Sequence, residues 1–108
     1  MGEIYGCDLA RLEDPAWVEA ALRQAVRALG ASEESIKSVV YKFAPQGLSA
    51  AALSPVAAVM VHTWPEDDAS ATLDLYFYRP ADAQAVMERL AEAFGARREN
   101  AFCHRREG

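Results

Sequence analysis

Apolar positions along the chain follow two rhythms. Between Asp14 and Gly30, Val18, Leu22, Ala25, Val26 and Leu29 recur at steps of three and four, the spacing that gathers one face of a helix. The flanking residues suit that reading: Asp14 is a good cap, Pro15 fits the first helical position, and Gly30 suits the exit. A second such run is RPADAQAVMERLAEAFG, Arg79 to Gly95, with Val86, Met87, Leu90 and Phe94 on its inner face.

The remaining segments read as strands. GEIYGCD opens as a short strand that turns at Gly6–Asp8; SIKSVVYKF, ATLDLYFY and ARRENAFCHRR follow further along. LSAAALSPVAAVMVHTW, Leu48 to Trp64, reads as one long strand with an irregularity at Ser54–Pro55, because proline cannot donate a ladder hydrogen bond. The expected order is β-α-β-β-β-α-β. That order predicts an α/β (α+β) two-layer sandwich: an antiparallel or mixed sheet with both helices on one face. Val39, Tyr41 and Phe43 share one side of their strand, as do Leu73, Leu75 and Phe77 of theirs. Val40 and Tyr76 point the other way, so the second face is not purely polar, and a partner sheet is expected over it.

The chain has 108 residues, enough for one domain, 1–108, with a real core. Its net charge of −5 leaves no basic stripe for phosphates, which argues against nucleic acid. The basic clusters at Arg97–Arg98 and His104–Arg106 are interleaved with Glu99 and Glu107 and read as a solvated strand or tail. No run has the length of a membrane span and no charged-then-apolar start is present, so the cytoplasm is the expected compartment. Cys7 and Cys103 lie near opposite ends and are expected to be free thiols. With His62 and His104 they form no metal-ligand spacing.

Two blocks carry more specific information: YKFAPQGLS, Tyr41 to Ser49, and VHTWPE, Val61 to Glu66. Together they resemble the prokaryotic S-adenosylmethionine decarboxylases, small pyruvoyl enzymes of polyamine and spermidine synthesis. That family shows a pattern like F-x-P-x-G-V-S-G and then H-T-W-P-E at the same separation. The opening EIYGCD and the closing GARR…H-R-R-E-G are also family-like, so the resemblance spans nearly the whole chain. It implies an S-adenosylmethionine decarboxylase fold, a sheet with helices on one side, and a dimer with the site near the subunit boundary. Several further strand residues before Glu3 are usual in the family.

The resemblance also implies a ligand site. Phe43 and Trp64 match the positions that sandwich the adenine, and Glu66 matches the carboxylate that accepts from the ribose. Ser49 and His62 match the polar pair that handles protons during self-processing. Aromatic faces and negative charge suit a purine and a sulfonium. Read singly, each residue also has a plainer role: Phe43 as core, Trp64 as a turn plug, His62 as a buried histidine, Glu66 as part of a solvated turn, Ser49 as a partner of its own backbone.

The reactive group is where the chain departs from the family. There a Glu-Ser dipeptide precedes the motif histidine, and the serine becomes the pyruvoyl cofactor. Counting back from His62 gives Val56-Ala57 instead, and Ala57 has no oxygen. Tyr78 stands where the family has its acid cysteine, with Arg79 in place of the next glycine. The implied reading is a non-processing homologue without a pyruvoyl group. It is a pseudoenzyme that binds S-adenosylmethionine or a related nucleoside, or a regulatory subunit in a homodimer or in a heteromer with an active decarboxylase. Two alternatives stand beside it: an active decarboxylase with an unorthodox route, through cleavage at Ser54 or a carbonyl drawn from elsewhere, and a structural homomer whose pocket has closed over Val56, Ala57 and Tyr78.

Overall fold

Helix formation follows the apolar periodicity closely. The computed structural model describes residues 2–78 and 82–101. In chain order the elements are β1 (Gly2–Tyr5), α1 (Leu9–Leu12), α2 (Pro15–Ala28), a 3-10 turn (Glu33–Ser35), β2 (Lys37–Lys42), β3 (Leu48–Leu53), β4 (Ala57–Trp64), β5 (Ser70–Phe77), α3 (Ala83–Ala93) and β6 (Arg98–Ala101). Asp14 caps α2, its carboxylate accepting from the amides of Ala16 and Trp17 at 3.1 and 3.2 Å. Asp82 caps α3 by accepting from the Ala85 amide at 3.1 Å, so that helix begins later than the Arg79 start expected from sequence. The short α1 was not anticipated; Asp8 caps it by accepting from Ala10 and Arg11.

The sequence reading needs one larger correction. Leu48 to Trp64 is not one strand but the hairpin β3–β4, with Ser54, Pro55 and Val56 at its turn. The Ser54 hydroxyl accepts from the amides of Val56 and Ala57 and donates to the Ala57 carbonyl at 2.9 Å. A serine that satisfies three backbone groups closes a tight turn more readily than a strand absorbs a proline. The expected last strand is described only as β6; its continuation through Arg106, with Cys103 and His104, lies outside the described residues.

The six strands form one antiparallel sheet in the order β2-β3-β4-β5-β1-β6. One face carries the helices. Leu48, Ala50, Ala52, Val59, Val61, Leu73 and Ile4 meet Val18, Leu22 and Val26 of α2 and Val86, Met87 and Leu90 of α3. Each fully buried leucine, isoleucine or valine contributes on the order of 1.5–3 kcal/mol through apolar burial. Phe94 closes the layer after α3, edge-on to Trp17 with ring centroids 5.1 Å apart. The α1 residue Arg11 lies over that indole and donates to the Ala93 carbonyl at 2.8 Å, capping the end of α3.

The opposite face is open. Val40 packs against the core, whereas Val39, Tyr41 and Phe43 are exposed. The two triplets grouped from sequence therefore lie on opposite faces: Leu73, Leu75 and Phe77 on the helix side, Val39, Tyr41 and Phe43 on the open side. Leu53, Trp64 and Tyr76 join the latter. No helix among the described residues is long and apolar enough to cross a membrane.

Candidate functional site

The pairing register aligns the open-face residues in rows. Tyr41 pairs with Ser49, Ser49 with His62, His62 with Thr72, and Thr72 with Glu3. In this row Ser49 Oγ stands 2.7 Å from His62 Nδ1, the pair that the sequence singled out. Trp64, two residues beyond His62, is 47% exposed. Its indole N–H donates to Thr72 Oγ1 at 3.2 Å, which leans the ring toward β5.

Phe43 sits in the row of Trp64. Its amide donates to the Gly47 carbonyl at 2.8 Å, extending the β2–β3 pairing by one step. Carrying the β3–β4 register on by two places sets Gly47 beside Trp64, and the Thr63 carbonyl and Pro65 ring do lie against Gly47. Phe43, Gly47 and Trp64 thus stand in sequence on three neighbouring strands. Strand spacing places the outer two backbones about 10 Å apart. Gly47 has a φ of +96° and no side chain, which leaves a gap in this row of side chains. A flat ring stacked against both would need about 7 Å.

Phe43 is 48% exposed, which removes it from the core, and it packs on Tyr41 with centroids 4.8 Å apart. Glu66 lies in the turn after Trp64 and accepts from Gln46 Nε2 at 2.9 Å, tying together the two turns that flank the gap. On the far side of Trp64 a cavity of about 130 Å³ is lined by Glu3, Tyr5, Trp64, Asp67, Ser70, Ala71 and Thr72. The Tyr5 hydroxyl donates to Glu3 there, and that bond, followed by desolvation, raises the phenol pKa.

Phe43, Ser49, His62, Trp64 and Glu66 therefore gather at one end of the open face. Ala57 and Tyr78 do not join them. Ala57 lies five residues back along β4 from His62, about 17 Å at the usual rise, and its methyl is buried in the helix-side core. The Val56 carbonyl accepts from the Tyr78 amide at 3.0 Å, while the Tyr78 side chain is 63% exposed. Sequence reasoning missed the parts played by Gly47, Gln46 and Thr72. Thr72 alternates onto the same face as Asp74, and Gly47 closes the turn after Phe43; both signals become legible only once the strand register is known. Among the described residues no group of three or more His, Cys, Asp or Glu side chains is placed to hold a metal.

The S-adenosylmethionine decarboxylase family model matches residues 1–107. The chain belongs to the S-adenosylmethionine decarboxylase family. An S-adenosylmethionine decarboxylase proenzyme of Methanococcus vannielii is 39% identical over 64 residues, covering 59% of this chain and 51% of that one. Another, from Anoxybacillus flavithermus, is 30% identical over 96 residues, covering 89% and 75%. The chain spans about half the length of the Methanococcus relatives it matches. The crystal structure of the adenosylmethionine decarboxylase from Aquifex aeolicus VF5 superposes with a TM-score of 0.74 at 22% identity, covering 99% of this chain and 92% of the other. That likeness establishes the fold, an α+β sandwich of an antiparallel sheet and helices.

Proposed function

We propose that this chain is a non-processing member of the S-adenosylmethionine decarboxylase family that binds S-adenosylmethionine or a related nucleoside on the open face of its sheet. The observation that carries the ligand reading is the row Phe43–Gly47–Trp64: two half-exposed rings on either side of a glycine gap, with the Glu66 carboxylate at its rim. A purine gains from both aromatic faces, and a carboxylate is the natural acceptor for ribose hydroxyls.

The residues present do not fit a pyruvoyl group. Such a group is made from a serine or cysteine side chain, and position 57 offers a methyl packed in the core. Ser54, the nearest hydroxyl, is engaged by three backbone groups of its own turn. The uncleaved chain is therefore the working form, and no decarboxylation step is assigned to it. The exposed Val39, Tyr41, Leu53 and Tyr76 support association through the open face, either as a homodimer or as the regulatory partner of an active decarboxylase.

Intact-mass measurement and calorimetric titration with S-adenosylmethionine, on the same sample, test this. A full-length mass with saturable binding is expected. Two fragments, or a mass deficit, would sink the non-processing reading; a flat titration of folded protein would sink the ligand reading.

A further inference from the structure

The turn that follows Trp64 is held in an unusual way. Asp68 and Ala69 have φ values of 54° and 45°, two successive non-glycine residues in the left-handed region, where a side chain is disfavoured. Such a conformation persists only where the surroundings fix it. Here the carbonyls of these two residues accept from the next two amides leaving β1, Gly6 at 2.8 Å and Cys7 at 3.0 Å. Gly6 has its own reason to be glycine: its φ is +65°, and a Cβ there would sit 3.0 Å from the Arg97 side chain.

Arg98, at the start of β6, adds a side-chain tie. One guanidinium nitrogen donates to Asp68 Oδ2 at 2.6 Å, and the guanidinium lies 4.9 Å over the Tyr5 ring. Tyr5 in turn lines the cavity whose other wall is the Trp64 indole. Asp68, Arg98 and Tyr5 thus join the turn after Trp64 to the wall opposite it. The ion pair is well exposed, so it adds little to global stability, and a positioning role accounts better for its geometry.

We infer that Arg98 is a positioning residue for the ligand site: by joining Asp68 to Tyr5 it sets where the turn after Trp64, and hence the indole wall, stands. The inference rests on the ligand reading above, and its test separates the two. A Trp17→Phe background leaves Trp64 as the single tryptophan of a chain that has two. Acrylamide is the quencher of choice, since a neutral molecule does not respond to the removed charge. Arg98→Gln is expected to raise the quenching constant of Trp64 at least 1.5-fold, with the melting temperature moved by less than about 2 °C, as befits an exposed pair. Arg98→Lys keeps the charge beside Asp68 but loses the flat stacking on Tyr5, so its constant should fall between the two. The two-tryptophan protein, in which Trp17 contributes a constant background, provides the second measurement should Trp17→Phe fold poorly.

Titration of the same variants with S-adenosylmethionine reads the consequence. Arg98→Gln should weaken binding at least fivefold. Unchanged quenching overturns the inference, and so does changed quenching with unchanged affinity. Should the unsubstituted protein not bind S-adenosylmethionine, the ligand reading fails on its own, and quenching alone decides whether Arg98 sets the indole.

Discussion

Ser49 and His62 face each other across the β3–β4 pair with Oγ 2.7 Å from Nδ1. Both are half-buried, and the bond needs no third partner to hold it, because antiparallel pairing already places the two Cβ atoms opposite each other. Such a bond is worth about 1 kcal/mol. A double-mutant cycle of Ser49→Ala and His62→Ala, followed by urea denaturation, should give a coupling energy of about that size. Additive effects would mean that the two side chains do not pair in solution.

Phe43 and Trp64 give a cleaner separation of function from stability. Each is about half exposed, so Phe43→Ala and Trp64→Ala should each cost no more than about 1–2 kcal/mol of folding energy, less than a core aromatic would. Each should nevertheless weaken nucleoside binding about tenfold, through lost stacking and contact area. Gly47→Ala should act differently. Its positive φ makes a side chain costly by about 1–2 kcal/mol, and the new methyl meets the Thr63 carbonyl at 3.3 Å. Thermal melts read beside calorimetric titrations distinguish the two kinds of damage.

Much of this arrangement was legible before any coordinates. Val18, Leu22, Ala25 and Val26, and later Val86, Met87 and Leu90, announce their helices because a helix has one buried stripe and the period shows it. The Ser54–Pro55 step was legible as an irregularity but not as a hairpin, since small apolar residues on both sides fit one buried strand or two. Which face of β2 turns inward was ambiguous for a related reason. Val39, Val40 and Tyr41 are all apolar, and only the register with Ala50 and Val61 commits Val40 to the core. The motif residues of the site were visible through the family resemblance. The gap between Phe43 and Trp64 was not, because it depends on a glycine that stands between the two rings only once both neighbouring strands are paired with it.

Cys7 offers a test of the β1–α1 junction. Burial, with a smaller contribution from the Asp68 charge, pushes its thiol up from 9.0 to about 11. The thiolate is the reactive form, so iodoacetamide at pH 8 should label Cys7 in the folded protein at least about tenfold more slowly than in urea. Peptide mass spectrometry separates it from Cys103. The sign of the linked stability follows. A folded-state pKa raised above the unfolded one contributes stability that is complete below about pH 9 and is lost as pH rises toward 11. Equal labelling rates in the two states would place Cys7 outside the core.

The last prediction concerns position 57. On the proposed non-processing reading, if the hydroxyl absent at position 57 were all that kept the chain whole, Ala57→Ser would permit self-cleavage. The geometry argues otherwise. The Ala57 amide donates to Ser54 Oγ at 3.1 Å, and its carbonyl accepts from the Ser54 amide at 3.0 Å and hydroxyl at 2.9 Å. The Val56 carbonyl, which the new oxygen would have to attack, is held by the Tyr78 amide. Within one chain the Ser49–His62 pair lies about 17 Å away along β4. A serine at 57 also points into the apolar layer beside Phe77, where a hydroxyl without a partner costs about 1–3 kcal/mol. Ala57→Ser should therefore run as one intact chain, less stable than the parent by about that amount. Ser54→Ala should also stay intact while losing the turn bonds. Cleavage of Ala57→Ser into two fragments would mean that a single oxygen atom separates this chain from its processing relatives, and that Val56 and Tyr78 are no part of the difference.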